Sequence, residues 1–240
     1  MHPNEHITRK AAVGVLMLET RFPRILGDIG HAQTWPFPVH YKVIRGATPD
    51  NVVCRDPQAL VNGFIQGGRE LVAKGCAGIT TSCGFLILLQ DRIQQALGVP
   101  VATSFLMQIP LVQATLPPCK KVGVITISAS NLSEDHFRAA GAPPDTPVIG
   151  TEHGRCFSKT ILTDAPTLDV AAARLDLVEA ARDIKTRHKD LGAIVLECTN
   201  MAPYAADIAL ETGLPVYTIY SFISWFQSGL APRRFIEETH

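Results

Sequence analysis

An internal repeat is the feature that most constrains the fold of this chain. Cys83 and Cys198 each end a stretch of small and β-branched residues, and 115 residues separate them. The same 115 residues separate Pro100 from Pro215, which lie in two similar segments, VPVA and LPVY. A repeat of this length indicates one structural unit that occurs twice. It predicts two similar lobes with one strand-ending cysteine in each.

Apolar runs of strand length alternate with helical segments in both halves, starting from Val13–Glu19 and Lys121–Ile127. This alternation is typical of parallel sheets covered by helices. We therefore expect an α/β fold of two similar lobes, each a mostly parallel sheet covered by helices. The lobes are related by pseudo-twofold symmetry, with the active site in the cleft between them. The predicted N-terminal lobe is 1–110 plus 216–240, and the predicted C-terminal lobe is 111–215.

Local signals predict the ends of some elements. Asp56 before Pro57 predicts the start of a helix, and Asn131 with a glutamate three residues on predicts a capping box. Thr20–Tyr41 lacks any regular period, because glycine, proline and aromatic residues interrupt it. Loops of this length inside compact domains are usually functional. A strand is expected next, at Val43–Ala47.

Charge and composition exclude several classes of protein. The 22 Lys and Arg residues balance the 22 Asp and Glu residues, so there is no general positive field for nucleic acid. No apolar run approaches the length of a membrane span, and the N-terminus lacks the form of a signal peptide. We expect a cytoplasmic protein that binds neither membrane nor nucleic acid. Its six cysteines lack the CxxC spacing and are expected to be reduced.

The two repeated cysteines carry the strongest indication of chemistry. A strand-to-helix turn places each side chain beside a helix N-terminus, where free amides favour a thiolate and bind anions. Cys83 and Cys198 are therefore predicted to face each other as a catalytic acid–base pair. Five neighbouring residues are predicted to bind the substrate and stabilise its negative charge: Thr81, Ser82, Gly84, Thr199 and Asn200.

The segments GITTSCGF and VLECTNMAPY, each followed by a strand with Pro-Val, resemble the cysteine motifs of the aspartate/glutamate racemase superfamily. That group includes glutamate, aspartate and hydantoin racemases, with maleate isomerase and arylmalonate decarboxylase as relatives. The resemblance implies a facing-thiol mechanism with no cofactor and no metal, and a homodimer or higher homo-oligomer. Asn200 stands where glutamate racemases usually carry histidine. Gly84-Phe85 replaces their Asn-Thr, and Glu19-Thr20-Arg21 replaces their Asp-Ser-Gly.

The expected function is that of an isomerase, a cofactor-independent racemase or epimerase. It would remove and return a proton alpha to the carboxylate of an amino acid such as aspartate or glutamate, or of a related hydantoin. Maleate isomerisation and arylmalonate-type decarboxylation are alternatives, because relatives with other uses of the cysteines carry out those reactions. Arg21, Arg24 and Asp28 in the first loop are candidates to recognise substrate charges, and His153 is a further candidate site residue.

Three hypotheses from other classes of protein compete with this expected function. A metal hydrolase would need paired ligands, but HExxH and Cys/His ligand spacings are absent from the sequence. Nucleotide binding has only weak support, because the glycine pairs do not form GxGxxG or a P-loop. A non-catalytic two-lobed binding protein for small molecules is the main rival, and it would not need matched thiols.

Overall fold

The structure is a computed structural model that describes residues 11–233. Its described part contains two four-stranded parallel sheets, which confirms the predicted α/β fold class. The strands of the first sheet have the spatial order β2-β1-β3-β4: β1 Ala12–Leu18, β2 Val39–Ile44, β3 Cys76–Thr81 and β4 Val101–Ala102. The second sheet has the equivalent order β6-β5-β7-β8: β5 Lys121–Thr126, β6 Val148–Gly150, β7 Leu191–Leu196 and β8 Val216–Tyr217.

Eight α-helices cover these sheets within the described range. They are α1 Val61–Ala73, α2 Gln90–Leu97, α3 Ile109–Thr115, α4 Glu134–Ala139, α5 Phe157–Leu162, α6 Val170–Arg187, α7 Ala205–Thr212 and α8 Ile219–Leu230. Shorter helical turns connect them, and two of these, Gly84–Leu89 and Thr199–Tyr204, directly follow the predicted catalytic cysteines. Between residues 11 and 233, no helix is both long and apolar enough to cross a membrane.

The repeat extends to details of packing. A Cβ at Gly14 in β1 would lie 2.6 Å from Ile79 and 3.0 Å from Leu71 of α1. A Cβ at Gly123 in β5 would lie 2.5 Å from a leucine of β7 and 2.9 Å from Ile184 of α6. Glycine at both positions allows side chains of a helix and of the neighbouring strand to pack closely against β1 and β5. The shared geometry explains why both halves keep a glycine there.

The last helix covers the first sheet again, although it follows the last strand of the second. Ile219 and Phe222 of α8 belong to an apolar cluster with Val13 and Val15 of β1. A Cβ at Gly78 of β3 would lie 2.8 Å from another α8 side chain. The chain therefore returns from the second sheet to the first lobe after β8. Residues 1–10 and 234–240, which the sequence assigns to the N-terminal lobe, lie outside the described residues.

The predicted helix start at Asp56 was confirmed, whereas the predicted capping box and the predicted start of the second strand were wrong. Asp56 accepts a hydrogen bond from the backbone amide of Gln58 at 2.9 Å, as expected of a helix cap. The capping box at Asn131 was wrong, because α4 starts later: Ser133 is the cap, and the ring of His136 closes the box at 3.1 Å. The second strand also begins earlier than Val43, at Val39. The edge strand takes its register from β1, which local periodicity does not reveal.

Candidate active site

Cys83 and Cys198 occupy equivalent positions at the carboxyl ends of β3 and β7. Each is the residue before a helical turn and has extended backbone angles. Both side chains are buried, at 8% and 9% exposure, and both line one cavity between the two sheets. The strand-to-turn geometry predicted from the sequence therefore brings the two thiols to the same space.

Residues on either side of the cysteines join the two lobes. The Thr199 hydroxyl donates to the backbone carbonyl of Ser82 at 3.1 Å. The backbone amide of Gly84 donates to the carboxylate of Glu197. The neighbours of one cysteine thus bond to the neighbours of the other, and these two bonds fix the relative position of the thiols.

Glu197 is the most deeply buried carboxyl group of the site, at 1% exposure. The Thr126 hydroxyl donates to its Oε2 atom at 2.9 Å, and the amides of Ile127 and Gly84 also donate to it. Burial raises the pKa of Glu197 to about 7, and these hydrogen bonds oppose the rise. The group therefore changes charge near neutral pH, next to both thiols.

Burial raises the pKa of both cysteine thiols, because a thiolate loses its hydration in this cavity. Glu197 raises both values further through its negative charge. The backbone amides of Phe85 and Asn200 act in the opposite direction, each donating to the sulfur two residues before it. Both cysteines are therefore thiols at rest, and a thiolate forms only when the site stabilises it.

The first loop covers the site and bonds to the second cysteine motif. Asp28 is only 2% exposed, and Arg24 forms an ion pair with it at 3.0 Å. The Asn200 side-chain amide donates to the other oxygen of Asp28, while its oxygen lies 3.4 Å from the Cys198 sulfur. A chain of contacts thus runs from the first lobe to the thiol of the second.

The cavity between the cysteines measures about 20 Å³, which is room for about one water molecule. Its walls are mostly apolar, and Arg24 and Glu197 are the charged residues that line it within the described chain. The apolar part consists of Leu18, Phe22, Pro49, Val53, Ile127, Ile161 and Leu162. A substrate with several heavy atoms therefore fits only after part of this wall moves.

Asp164 links the two lobes by hydrogen bonds next to the wall of the cavity. Its carboxylate accepts hydrogen bonds from the backbone amides of Arg21 and Phe22, and from the Arg21 side chain at 3.1 Å. Asp164 has a φ of 53°, the positive value that non-glycine residues rarely adopt. The contact joins the first loop to the residues directly after α5, the helix whose Ile161 and Leu162 line the cavity.

The predicted substrate-binding residues divide into two groups. Ser82, Gly84 and Asn200 line the cavity. The hydroxyl of Thr81 donates to the carbonyls of Cys83 and Thr103, and the Thr199 hydroxyl is bound to the other lobe as described. Both threonines therefore support the turns behind the cysteines.

The further candidates are also separated. Asp28 lies within the site, whereas Arg21 is exposed and bonds Asp164. His153 lines a different cavity, of about 480 Å³, beside β6 and α6. Sequence reasoning missed Glu197, although a single charge at the end of the apolar run AIVLE was a signal for it. Within residues 11–233 there is no group of three or more His, Cys, Asp or Glu side chains that could hold a metal ion.

Solved structures share the fold of this chain. A mutant form of arylmalonate decarboxylase with associated sulfate superimposes with a TM-score of 0.63 at 16% identity, over 92% of this chain and 93% of that chain. Glutamate racemase from Bacillus anthracis gives 0.56 at 15% identity, over 93% and 85%. Allantoin racemase from Pseudomonas fluorescens gives 0.56 at 15% identity, over 91% and 90%. This chain has their fold. The resemblance to the aspartate/glutamate racemase superfamily is confirmed at that level.

The curated relatives with similar sequences are named as lyases, not as racemases or decarboxylases. A dimethylsulfoniopropionate lyase of Durusdinium sp. clade D is 26% identical over 242 residues, which cover 97% of this chain and 80% of that protein. Dimethylsulfoniopropionate lyase 3 of Emiliania huxleyi is 28% identical over 219 residues, 86% of this chain and 56% of that protein. The chain therefore spans little more than half of the Emiliania relative. No family model matches the chain.

Proposed function

We propose that this protein is a lyase that acts on a short-chain carboxylate by thiol-dependent β-elimination. A cysteine thiolate removes the proton alpha to the carboxylate, and the substituent on the β carbon leaves. The name shared by the curated relatives makes dimethylsulfoniopropionate the first substrate to consider. A proton transfer of this kind is within the reach of a thiolate held opposite a second acid–base group.

The proposed step balances without a co-reactant. The thiolate takes the α proton, and the electron pair of that C–H bond forms a double bond between the α and β carbons. The C–S bond breaks, and its electron pair stays with the positively charged sulfur, which leaves as neutral dimethyl sulfide. Acrylate remains, and the proton on the cysteine passes to solvent.

The observation that carries this proposal is the combination of facing thiols with a cavity that has no free carboxylate. An α-amino acid brings an ammonium group, which needs acceptors. Asp28 already accepts from Arg24, from the Gly30 amide at 2.7 Å and from Asn200. Glu197 already accepts three hydrogen bonds. Glu197 is the carboxyl group that lines the cavity within the described residues, and Asp28 bonds two residues of the lining, Arg24 and Asn200. Both carboxyl groups are therefore already engaged and are poorly placed to receive an ammonium ion.

A dimethylsulfonium group does not need hydrogen-bond acceptors. Its charge lies under methyl groups that donate no conventional hydrogen bond, so it suits the apolar wall formed by Leu18, Phe22 and their neighbours. At the polar end, the Ser82 hydroxyl accepts from the Leu18 amide at 2.8 Å and can donate its own proton. Together with the charge of Arg24, it would hold the substrate carboxylate.

Racemisation is the second candidate, and the facing position of two cysteines favours it. It shares the first half of the reaction, because a carbanion forms at the α carbon in both cases. The difference is the second half, in which the opposite thiol returns a proton to the other face. Decarboxylation of an arylmalonate would generate the same type of carbanion by loss of carbon dioxide.

Proton NMR in D2O distinguishes these reactions in one experiment. The wild type is incubated with dimethylsulfoniopropionate, both enantiomers of aspartate and glutamate, a 5-substituted hydantoin, maleate and phenylmalonate. We expect acrylate and dimethyl sulfide from the first substrate, lost in Cys83→Ser. Cys119→Ser is the matched control, because that cysteine is exposed.

Deuterium at the α carbon of an amino acid or hydantoin, with inversion, would instead establish the racemase. Phenylacetate from phenylmalonate would establish the decarboxylase. No turnover of any substrate, with binding unaffected by either cysteine substitution, would reject catalysis and favour a binding protein.

A further inference from the structure

In both cysteine motifs an extended cysteine precedes a helical turn, but the side chains two residues after the cysteine differ. The amides of Phe85 and Asn200 donate to the sulfurs of Cys83 and Cys198, respectively. Phe85 brings an apolar ring that is 1% exposed. Asn200 brings an amide group whose oxygen lies 3.4 Å from the Cys198 sulfur. The pseudo-symmetry is therefore broken at the position that touches the thiol.

Asp28 determines which way the Asn200 amide points. A carboxylate only accepts hydrogen bonds, so the Asn200 atom that faces Asp28 must be its nitrogen. The oxygen then faces Cys198. Arg24 at 3.0 Å and the Gly30 amide at 2.7 Å both donate to Asp28 and hold it in place. This removes the ambiguity between nitrogen and oxygen that an asparagine otherwise carries.

An amide oxygen accepts a proton but cannot donate one, so it stabilises a thiol and not a thiolate. Both sulfurs accept from a backbone amide, but among the described residues no acceptor equivalent to the Asn200 oxygen faces Cys83, and the positive charge of Arg24 acts to lower the pKa of Cys83. The Asn200 oxygen therefore favours the thiol form of Cys198, and this acceptor has no counterpart at Cys83 among the described residues.

We infer that Cys83 is the base of the site and Cys198 its acid, and that Arg24, Asp28 and Asn200 assign these roles. Asp28 is a positioning residue, because it acts on the thiol only through Asn200. The catalytic consequence rests on the proposed function: Cys83 takes the α proton, and the Cys198 thiol donates to the negative charge that develops on the substrate. The protonation assignment itself does not depend on the substrate.

Infrared difference spectra of the S–H stretch test the assignment without any substrate. A thiol that donates to a carbonyl oxygen absorbs at lower frequency than a free thiol. We expect the wild type minus Cys198→Ser spectrum to contain this lowered band, and the wild type minus Cys83→Ser spectrum to lack it. Asp28→Asn should shift the band toward the free frequency, because Asn200 can then turn its nitrogen toward the sulfur.

Asp91→Asn is the matched control, since Asp91 is exposed at the start of α2, and it should leave the band in place. A lowered band that disappears with Cys83 instead of Cys198, or that Asp28→Asn leaves unchanged, would overturn the assignment. If Asp28→Asn does not fold, Asn200→Leu removes the same acceptor, and the two cysteine difference spectra still decide between the thiols.

Kinetics provide the second measurement. With dimethylsulfoniopropionate, Cys83→Ser should reduce turnover to the level of the double cysteine variant. Cys198→Ser should lower it by roughly 10²- to 10⁴-fold, the contribution of one acid group, and leave a measurable rate. The reverse pattern would refute the roles. Absence of turnover in the wild type would refute the proposed function alone, because the infrared result stands independently of it.

Discussion

Replacing Glu197 by glutamine should stabilise the protein at neutral and alkaline pH. The pKa of this buried carboxyl is about 7, against an ordinary value of 4.5. A difference of this size corresponds to about 3 kcal/mol, since one pKa unit is about 1.4 kcal/mol. The pKa is higher in the folded than in the unfolded chain, so the protonated form is the one that folding favours.

The pH range of the effect follows from these two values. Below pH 4.5 the carboxyl is protonated in both states, and its burial carries no electrostatic penalty. Between pH 4.5 and 7 the unfolded chain releases this proton while the folded protein retains it, so stability falls as the pH rises toward 7. Above pH 7 the loss reaches its full value of about 3 kcal/mol.

Glutamine can occupy the site and keep the hydrogen bonds to Thr126 and to the Gly84 amide. The Thr126 hydroxyl bonds Oε2, whereas Oε1 is the atom closest to Gly84, at 2.4 Å from a Cβ built there. If the glutamine nitrogen replaces Oε2, the threonine hydroxyl rotates and accepts from it. The remaining oxygen continues to accept from the backbone amide. The variant therefore keeps the shape of the site and removes its titrating charge.

Urea denaturation followed by circular dichroism between pH 5 and pH 8.5 measures the effect. The difference in unfolding free energy between Glu197→Gln and wild type should be about 1 kcal/mol at pH 5 and rise to about 3 kcal/mol in favour of the variant at pH 8.5. Glu134→Gln, at an exposed position, should differ from wild type by less than about 0.5 kcal/mol throughout.

A difference that does not change with pH, or a variant less stable than wild type at pH 8, would refute the reasoning. The same variant also tests the role of the carboxyl in the reaction. Without its negative charge the pKa of both thiols falls, so activity should persist and rise at lower pH. Complete loss of activity would mean that Glu197 itself transfers the proton.

Other substitutions test the contacts between the lobes. Gly84→Ala places a Cβ 2.4 Å from the buried glutamate, so it should lower the free energy of unfolding, measured by urea denaturation, by about 1–3 kcal/mol. Gly229→Ala in α8 is the control: no atom lies within 4 Å of its Cβ, and the free energy of unfolding should stay unchanged or rise by up to about 1 kcal/mol. Thr199→Val removes the hydroxyl that bonds the other lobe and should lose about 1 kcal/mol in the same assay. Asp164→Ala removes the acceptor of the Arg21 backbone amide. It should speed alkylation of the two buried cysteines by iodoacetamide, which mass spectrometry measures. An unchanged rate of alkylation would show that this contact does not close the cavity.

The fold and the pairing of the cysteines could be predicted because the chain repeats. Cys83 and Cys198 follow equivalent strands, and parallel strands of two similar lobes bring equivalent carboxyl ends together. The prediction needed only the period of the repeat and the strand-to-turn pattern. The homo-oligomer and the cytoplasmic location remain predictions.

The finer features of the site depend on contacts that no local pattern contains. Asn200 and Asp28 are 172 residues apart in sequence, and the bond between them requires the relative placement of both lobes. Glu197 lies beside Cys198 in the sequence, but its role depends on Gly84 of the other lobe. The capping box at Asn131 failed for a local reason, because Ser133 caps α4 instead and the His136 ring closes its box.

The asymmetry of the thiols can be traced to the connections after the first strand of each lobe. After β1 the chain forms an irregular loop, and its Asp28 bonds Asn200 beside Cys198. After β5 the chain forms α4 instead, and its His136 packs edge-on against Phe85 beside Cys83, with 5.2 Å between the ring centroids. Each connection therefore contacts the cysteine turn of the opposite lobe. One contact is polar and orients an acceptor toward a thiol, while the other is aromatic and offers none. Both turns follow an extended cysteine and donate a backbone amide to its sulfur, so we attribute the difference between acid and base to the residues that these two connections place against the turns.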